Sequence, residues 1–443
     1  MCSFLFTTKH IRNWKKANYF LKFRGPDITK KITFNDHMYI HNLLSITGTF
    51  TPQPLIDGNI CILFNGEIYN FKDLGDFDND TKCIIPLYKK YGPSFTQHLD
   101  GEFAITLVDY DKDIVVISSD IFKTKPLFYA IEDGYIASAS YITPLIDCGY
   151  RNPIKANPNE TLVIKLSTAK IIDRFEVYHF DLRQYKTSYK DWMTAFHNSI
   201  KKRAASHVRE KIFIGISSGY DSGAIACEMA RQKIYFKGYS HVGSENIDVL
   251  DRRKKMLQPY CDIEQYTTTK REWKIAHKFI MKHTESYQYT IHSGRTDYNE
   301  YDLALVDDNG SNQFSNLSRK AKRDNRKIHL SGMGGDEIFS DYGFGGESKY
   351  QHSNFGGLFP KDLTTIFPWP SFYGSTMESY LAKEEYVGGA YGLESRYPFL
   401  DKDVVQEFLS LDVKLKNNYY KNVLHHYFVE NNFPFDEGQK IGF

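Results

Sequence analysis

The chain has 443 residues, 41% hydrophobic and 25% charged, the profile of a globular protein with more than one core and room for two or three domains. Its 56 basic and 54 acidic residues leave a net charge of +2, which excludes a strong non-specific pull toward nucleic acid or an anionic membrane. The six cysteines are scattered, with no Cys-x-x-Cys pair or zinc-spaced cluster, and no apolar run reaches membrane-spanning length. A start, Met1-Cys2-Ser3-Phe4, without a basic leader completes the expectation of a reducing, cytoplasmic setting.

Residues 1 to about 180 predict mostly β structure. Short apolar or alternating runs at 60–64, 103–108, 114–118, 127–129 and 161–164 are separated by turn residues such as Asp57-Gly58-Asn59. A helix is expected over 80–91. The pattern then changes: a helix over 189–206, a strand over 211–216, a helix over 221–232 and a strand over 234–238. Strand–helix alternation implies a parallel, doubly wound sheet, with a domain boundary near residue 185. The polar stretch 297–313 reads as a loop insertion, and the basic run Arg319 to Arg323 as a solvated helix face.

Ser217-Ser218-Gly219-Tyr220-Asp221-Ser222 lies between the strand at 211–216 and the helix that follows. A Gly- and Ser-rich turn at a helix N-terminus directs N–H groups and hydroxyls at one spot, where the helix dipole favours phosphate, and Asp221 can hold Mg²⁺ against it. An ordinary helix capped by Ser217 or Ser218 fits the same six residues. A second cluster, Ser331-Gly332-Met333-Gly334-Gly335-Asp336-Glu337, follows the strand-like 327–330. The carboxyl ends of such strands share one crevice, so Asp221 and Asp336 can face one metal ion.

Removal of Met1 makes Cys2 the first residue, with a thiol nucleophile and an α-amine of near-neutral pKa to act as its base. Asn65 and Gly66, in Phe64-Asn65-Gly66-Glu67-Ile68-Tyr69-Asn70, are suitable oxyanion donors, although a plain Asn-Gly turn reads the same way.

Together these segments resemble the asparagine synthetase family. Cys2-Ser3 resembles its nucleophile start, Arg24-Gly25-Pro26-Asp27 its early RGPD motif, and 65–70 its NGEIYN motif. Residues 217–222 are similar to its SGGxDS loop, 331–337 to its SGxGxDE segment, and 392–401 to its GLExRxPFLD signature. The resemblance implies an α+β sandwich of the N-terminal-nucleophile type, a class II glutamine amidotransferase domain, over 1–185. An α/β doubly wound parallel-sheet ATP-pyrophosphatase domain, Rossmann-like, is implied over 186–443. By this resemblance Cys2, Asn65, Gly66 and Lys440 are catalytic, and Glu67 and Asp80 bind glutamine. Ser217, Ser218, Gly219, Asp221, Ser222, Ser331 and Gly332 bind ATP or pyrophosphate, and Asp221 and Asp336 hold the metal. The implied function is ATP- and Mg²⁺-dependent transfer of ammonia from glutamine to an adenylated carboxylate, giving an amide, AMP and pyrophosphate. No nucleic acid or membrane partner is implied, and a homodimer is left open.

Four departures qualify the substrates. Leu43 stands where the family has an Arg that grips the glutamine carboxylate, a role Arg24 or another cation would have to supply; Ser218 replaces a Gly; Met333 replaces an acid or other acceptor-side group; and Thr290 to Arg295 departs near the acceptor region. The acceptor is therefore expected to be a small carboxylate other than aspartate. The alternative is a ring-closing amide synthetase of the same fold with an inactive glutaminase domain. A tRNA-modifying pyrophosphatase and a non-catalytic nucleotide-binding regulator fit fewer of these residues.

Overall fold

The computed structural model describes residues 2–205, 208, 211–243, 245–291 and 301–439, so Lys440 and residues 292–295 lie outside the described residues. The chain forms two compact units. One comprises Met1–His179 with the segments Lys282–Glu285 and Gly388–Leu393, and the other comprises Phe180–Met281, Ser286–Val387 and Glu394–Phe443.

In the first unit the apolar runs become strands of two six-stranded antiparallel sheets. One sheet contains β1 (Ser3–Thr7), β2 (Ile28–Phe34), β3 (His37–Leu43), β8 (Phe128–Glu132), β9 (Tyr135–Ala139) and β10 (Ile154–Lys155), in the order β10-β8-β9-β1-β3-β2. The other contains β4 (Leu55–Asp57), β5 (Ile60–Ile68), β6 (Gly101–Asp109), β7 (Ile114–Ser119), β11 (Glu160–Lys165) and β12 (Lys170–Glu176), in the order β12-β11-β7-β6-β5-β4. Phe4, Phe6, Leu63, Ile117 and Leu162 pack into one buried core between them. This is the N-terminal-nucleophile sandwich. The expected helix at 80–91 forms as a 3₁₀ turn, Asp80–Cys83, leading into an α-helix, Ile84–Tyr91.

In the second unit a five-stranded parallel sheet runs β15-β14-β13-β18-β21, built from β13 (Ile212–Gly215), β14 (Phe236–His241), β15 (Cys261–Tyr266), β18 (Ile328–Leu330) and β21 (Glu394–Arg396). Two small hairpins, β16 (Gln288–Ile291) with β17 (Tyr301–Ala304) and β19 (Gly343–Phe344) with β20 (Glu347–Ser348), complete the strands. From β13 the chain winds outward through β14 and β15, then returns to the other side of β13 as β18. The strand order therefore reverses between β13 and β18, and in an open parallel sheet a ligand crevice opens at that point.

The polar stretch read as a loop departs from expectation. Residues 309–313 begin a fifteen-residue helix, Asn309–Arg323. Asp308 starts it by accepting the N–H groups of Gly310 and Ser311, and Phe314, Leu317 and Ala321 recur at helical spacing on its buried side. The basic run closes that helix, with Lys320 and Arg323 paired to Glu264 at 2.8 and 2.9 Å. Among the described residues no helix is long and apolar enough to cross a membrane.

In the segment matching GLExRxPFLD, the residues from Glu394 to Asp401 belong to the second unit and make structural contacts there. Glu394 and Arg396 pair at 2.7 Å, Arg396 Nη1 donates to the Arg203 carbonyl at 2.8 Å, and buried Asp401 takes Arg203 and Lys202 at 2.6 and 2.5 Å. Nearby, fully buried Trp192 lies stacked on Phe196 at 5.4 Å and edge-on to Phe339 at 5.7 Å. Trp192→Ala is expected to lower the stability of this unit by about 3–5 kcal/mol, read as a shifted denaturant midpoint, because the cavity cannot collapse between aromatic neighbours. An unshifted midpoint would remove Trp192 from the core.

Candidate active sites

In the first unit Cys2 immediately precedes β1, where Ser3 pairs with Asn42 and Phe4 with His41. His41 Nε2 meets the Phe64 carbonyl of β5 at 3.2 Å, so the start of β1 lies close to Asn65. Burial holds His41 down at about 3, so it stays neutral and donates from Nε2. Cys2 is buried, with Sγ 3.8 Å from the Leu44 carbonyl.

Asn65 and Gly66 do not form a turn. They sit inside β5, opposite Ala104 and Phe103 of β6. Gly66 has φ +144°, and a Cβ there would stand 1.9 Å from the Glu102 carbonyl oxygen, so no larger residue fits. Both polar atoms of the buried Asn65 side chain lack a hydrogen-bond partner. An unsatisfied buried amide is unfavourable unless a ligand completes it, which suits an oxyanion donor. Asp80 is engaged by the chain: its Oδ2 accepts the Ile68 N–H at 3.1 Å and its Oδ1 the Thr81 N–H at 2.9 Å. Glu67, on β5, is buried.

Arg24 is held by groups of the first unit itself. It is fully buried, and its Nε and Nη1 donate to the Cys2 carbonyl and the Tyr141 hydroxyl, both at 3.2 Å. Its visible task is to fix the residue that carries the thiol. Leu43 is itself buried.

In the second unit the loops after β13 and β18 line a cavity of about 280 Å³ at the switch point. Ser217, Gly219, Asp221, Ser222, Ser331, Gly332, Met333 and Asp336 all line it, whereas Ser218 does not. The Ser218 N–H and hydroxyl both donate to Glu245 Oε2 at 2.5 Å, and its oxygen accepts the Asn246 N–H at 3.0 Å. The helix after the loop, Tyr220–Arg231, has Gly219 rather than a serine at its N-cap. The other loop donors are also engaged internally: Ser217 N–H to Ser222 Oγ at 3.0 Å and Gly219 N–H to Ser217 Oγ at 3.1 Å.

The two acids converge, and a lysine that sequence reasoning missed joins them. Lys421 Nζ lies 2.6 and 2.7 Å from the Asp221 oxygens and 2.7 Å from Asp336 Oδ1, which also accepts the Tyr420 hydroxyl at 3.1 Å. Burial alone would lower the Lys421 pKa, but the two carboxylates outweigh it and the net shift is upward. Its neighbours, Tyr419, Tyr420 and Asn422, offer no pattern that marks it in the sequence. Close approach depends on glycine: a Cβ on Gly335 would stand 2.3 Å from Asp221 Oδ1, and one on Gly332 2.8 Å from Asp221 Cβ.

Two carboxylates and one ammonium leave a net negative charge, which fits one divalent cation. Among the described residues no group of three or more His, Cys, Asp or Glu could form a complete protein cage. A hard cation such as Mg²⁺ held by Asp221 and Asp336 would need further oxygen ligands from outside the protein.

Glu337, beside Asp336, is buried; its Oε1 accepts the Tyr342 hydroxyl at 2.5 Å and its Oε2 the Gly334 N–H at 3.2 Å. Burial, and then the Asp336 charge, push it from 4.5 up to about 7. A raised carboxyl pKa stabilises the fold while the acid is protonated. This contribution is complete below about pH 4.5 and is lost as pH rises through about 7. Glu337→Gln keeps the neutral shape, so its unfolding free energy should fall less than the parent's across that window in denaturant titrations. Parallel profiles would contradict the assignment.

Comparison with known proteins adds the lineage. The glutamine amidotransferase domain family matches residues 1–175, and the asparagine synthase family matches residues 192–364. A Methanocaldococcus jannaschii protein assigned as a glutamine-hydrolysing asparagine synthetase is 28% identical, over 91% of this chain and 74% of its own. Glutamine-hydrolysing asparagine synthetase 1 of Saccharomyces cerevisiae is 25% identical, over 88% of this chain and 72% of its own. Among solved structures, glutamine phosphoribosylpyrophosphate amidotransferase from B. subtilis aligns at a TM-score of 0.32 and 14% identity, covering 60% of this chain and 81% of that one. The chain thus matches an amidotransferase domain family and then an asparagine synthase domain family, and over both it is similar to glutamine-hydrolysing asparagine synthetases.

Proposed function

We propose that the chain is a carbon–nitrogen ligase that hydrolyses glutamine and uses ATP to transfer the ammonia to a carboxylate acceptor. The observation that carries this reading is the convergence of Asp221, Asp336 and Lys421 at the switch-point cavity, in a chain whose other unit has Cys2 at the head of β1 and an unsatisfied, buried Asn65 in β5.

With Met1 removed, the Cys2 thiol attacks the glutamine side-chain amide while its own α-amine takes the thiol proton. Asn65 Nδ2 and the Gly66 N–H receive the oxyanion, Glu67 and Asp80 orient the donor, and ammonia leaves with the proton held by the α-amine; water then hydrolyses the Cys2 thioester, releasing glutamate and restoring the thiol. In the second unit the acceptor carboxylate attacks the α-phosphorus of ATP and pyrophosphate departs. Ser217, Ser218, Gly219, Ser222, Ser331 and Gly332 surround that leaving group, Ser218 through its backbone once Glu245 yields. Asp221 and Asp336 would hold Mg²⁺, which when bound neutralises charge on the pyrophosphate. Lys440 stabilises the crowded phosphorus. It follows Gly438 by two residues, and the Gly438 N–H donates to the hydroxyl of Tyr220, next to the loop, at 3.1 Å. Ammonia then attacks the acyl carbon, and AMP leaves with the bonding electrons.

The acceptor is a small carboxylate other than aspartate. Met333 lines the cavity together with Tyr342, Tyr350 and Tyr380, and a methionine can neither take a proton nor grip an amino group. A ring-closing reaction with an idle glutaminase is the second reading, favoured by buried Leu43 and by the engagement of Arg24 with Cys2 and Tyr141.

The deciding experiment supplies amide-labelled glutamine, ATP, Mg²⁺ and a metabolite extract, and seeks a labelled product by mass spectrometry. Cys2→Ala should abolish label transfer while ammonium salts still support product. AMP formation without label, unchanged in Cys2→Ala, would sink the glutaminase assignment and favour ring closure. Asn65→Ala should lower the glutaminase rate by about 10²–10³. Lys440→Ala should abolish AMP formation and leave glutamine hydrolysis intact, and equal loss of both would refute the division of labour.

A further inference from the structure

A buried cation lies behind the pyrophosphate loop, and the mechanism above does not use it. Arg253 projects from the helix Ile247–Leu257 and is fully buried. Its Nη1 donates to the carbonyls of Ser217 and Gly219 at 2.6 and 2.8 Å, the two residues that flank Ser218. Its Nε donates to the Pro434 carbonyl at 2.8 Å, and the guanidinium lies 5.6 and 5.2 Å from the ring centres of Phe428 and Phe433.

Space is reserved for this group. A Cβ on Gly223, in the helix that follows the loop, would stand 2.6 Å from the guanidinium. Yet Arg253 forms no ion pair among the described residues, and its Nη2 is buried without a hydrogen-bond partner. A buried guanidinium without a carboxylate in contact is unfavourable unless an anion elsewhere offsets it. Burial draws its pKa down to about 9, and the largest opposing influence is Glu245, the same carboxylate that accepts the Ser218 N–H.

We propose that Arg253 is a positioning residue for the pyrophosphate of ATP, holding the Ser217 and Gly219 carbonyls back so that the loop's N–H groups face the phosphates. The fork reaches two carbonyls from one nitrogen and a third from Nε, a geometry that a lysine ammonium cannot reproduce. The positive charge also stands behind the loop, opposite the side on which the phosphates bind. The inference rests on the ATP reading of this cavity and names the group that shapes its phosphate end.

The test uses the full chain and two probes, Mg²⁺-pyrophosphate and AMP, titrated by calorimetry. AMP lacks the β- and γ-phosphates and reports the rest of the nucleotide site. Arg253→Lys should weaken pyrophosphate binding by roughly tenfold or more, the scale of lost hydrogen bonds to a charged group. AMP affinity should change less than about threefold. The KM for ATP should rise while kcat at saturation stays within about threefold, and glutamine hydrolysis should be unaffected. Arg253→Met, which also removes the charge, should weaken pyrophosphate further. Equal losses for AMP and pyrophosphate would show that Arg253 merely pins the Pro434 segment, and unchanged pyrophosphate binding in Arg253→Lys would overturn the inference outright. If the unsubstituted chain binds neither probe, the ATP reading fails and the inference fails with it.

Discussion

The second unit depends on one ammonium held between two carboxylates that would otherwise repel. Lys421 reaches Asp221 on the helix after β13 and Asp336 in the short helix Gly335–Phe339 after β18, so a single charge closes the two sides of the switch point. The lysine side chain is 2% exposed and adopts φ +47°, a backbone conformation tolerated here because three oxygens receive the ammonium. Everything around it accommodates that contact. Gly332 and Gly335 omit the atoms that would collide with Asp221, and Tyr420 supplies a further donor to Asp336. Without the lysine, both carboxylates would lose the cation that offsets their mutual repulsion, and removing one partner of a buried ion pair costs about 3–5 kcal/mol where it has been measured.

The first unit answers to a different constraint, an amide donor that must be rigid and unsatisfied together. A turn would leave Asn65 adaptable and partly hydrated. Placement inside β5, with β6 pressed against Gly66, fixes the amide and dries it. Arg24 fixes Cys2 in the same way, through the Cys2 carbonyl.

Much of this was legible because it rests on local pattern. Alternating apolar runs gave strands, and the glycine and serine clusters fell at strand ends in the order a doubly wound sheet requires. What stayed hidden depends on long-range contact. Lys421 lies 200 residues from Asp221 in sequence, and Arg253 carries no motif. The start of the helix Asn309–Arg323 falls in the 297–313 stretch that reads as a loop, because its buried side mixes Ser311, Ser315 and Ser318 with only a few apolar residues and polarity conceals its periodicity. The 394–401 segment is recognisable as a signature, yet its charges are satisfied by Lys202, Arg203 and each other rather than directed at a ligand. A motif marks what the fold requires as readily as what the chemistry requires.

The loop at 217–222 is already hydrogen-bonded before any phosphate arrives. Ser222 Oγ, Glu245 and Ser217 Oγ hold three successive N–H donors. A phosphate entering here exchanges partners instead of finding vacant ones, so each new bond returns only the difference between two hydrogen bonds. A lone orthophosphate must win that exchange with a single tetrahedron. Under the proposed function, a nucleoside triphosphate would bring several anionic groups and an adenosine to the same cavity. The pre-bonded loop would then act as a threshold, favouring the ligand that engages many contacts at once over the abundant one that engages few.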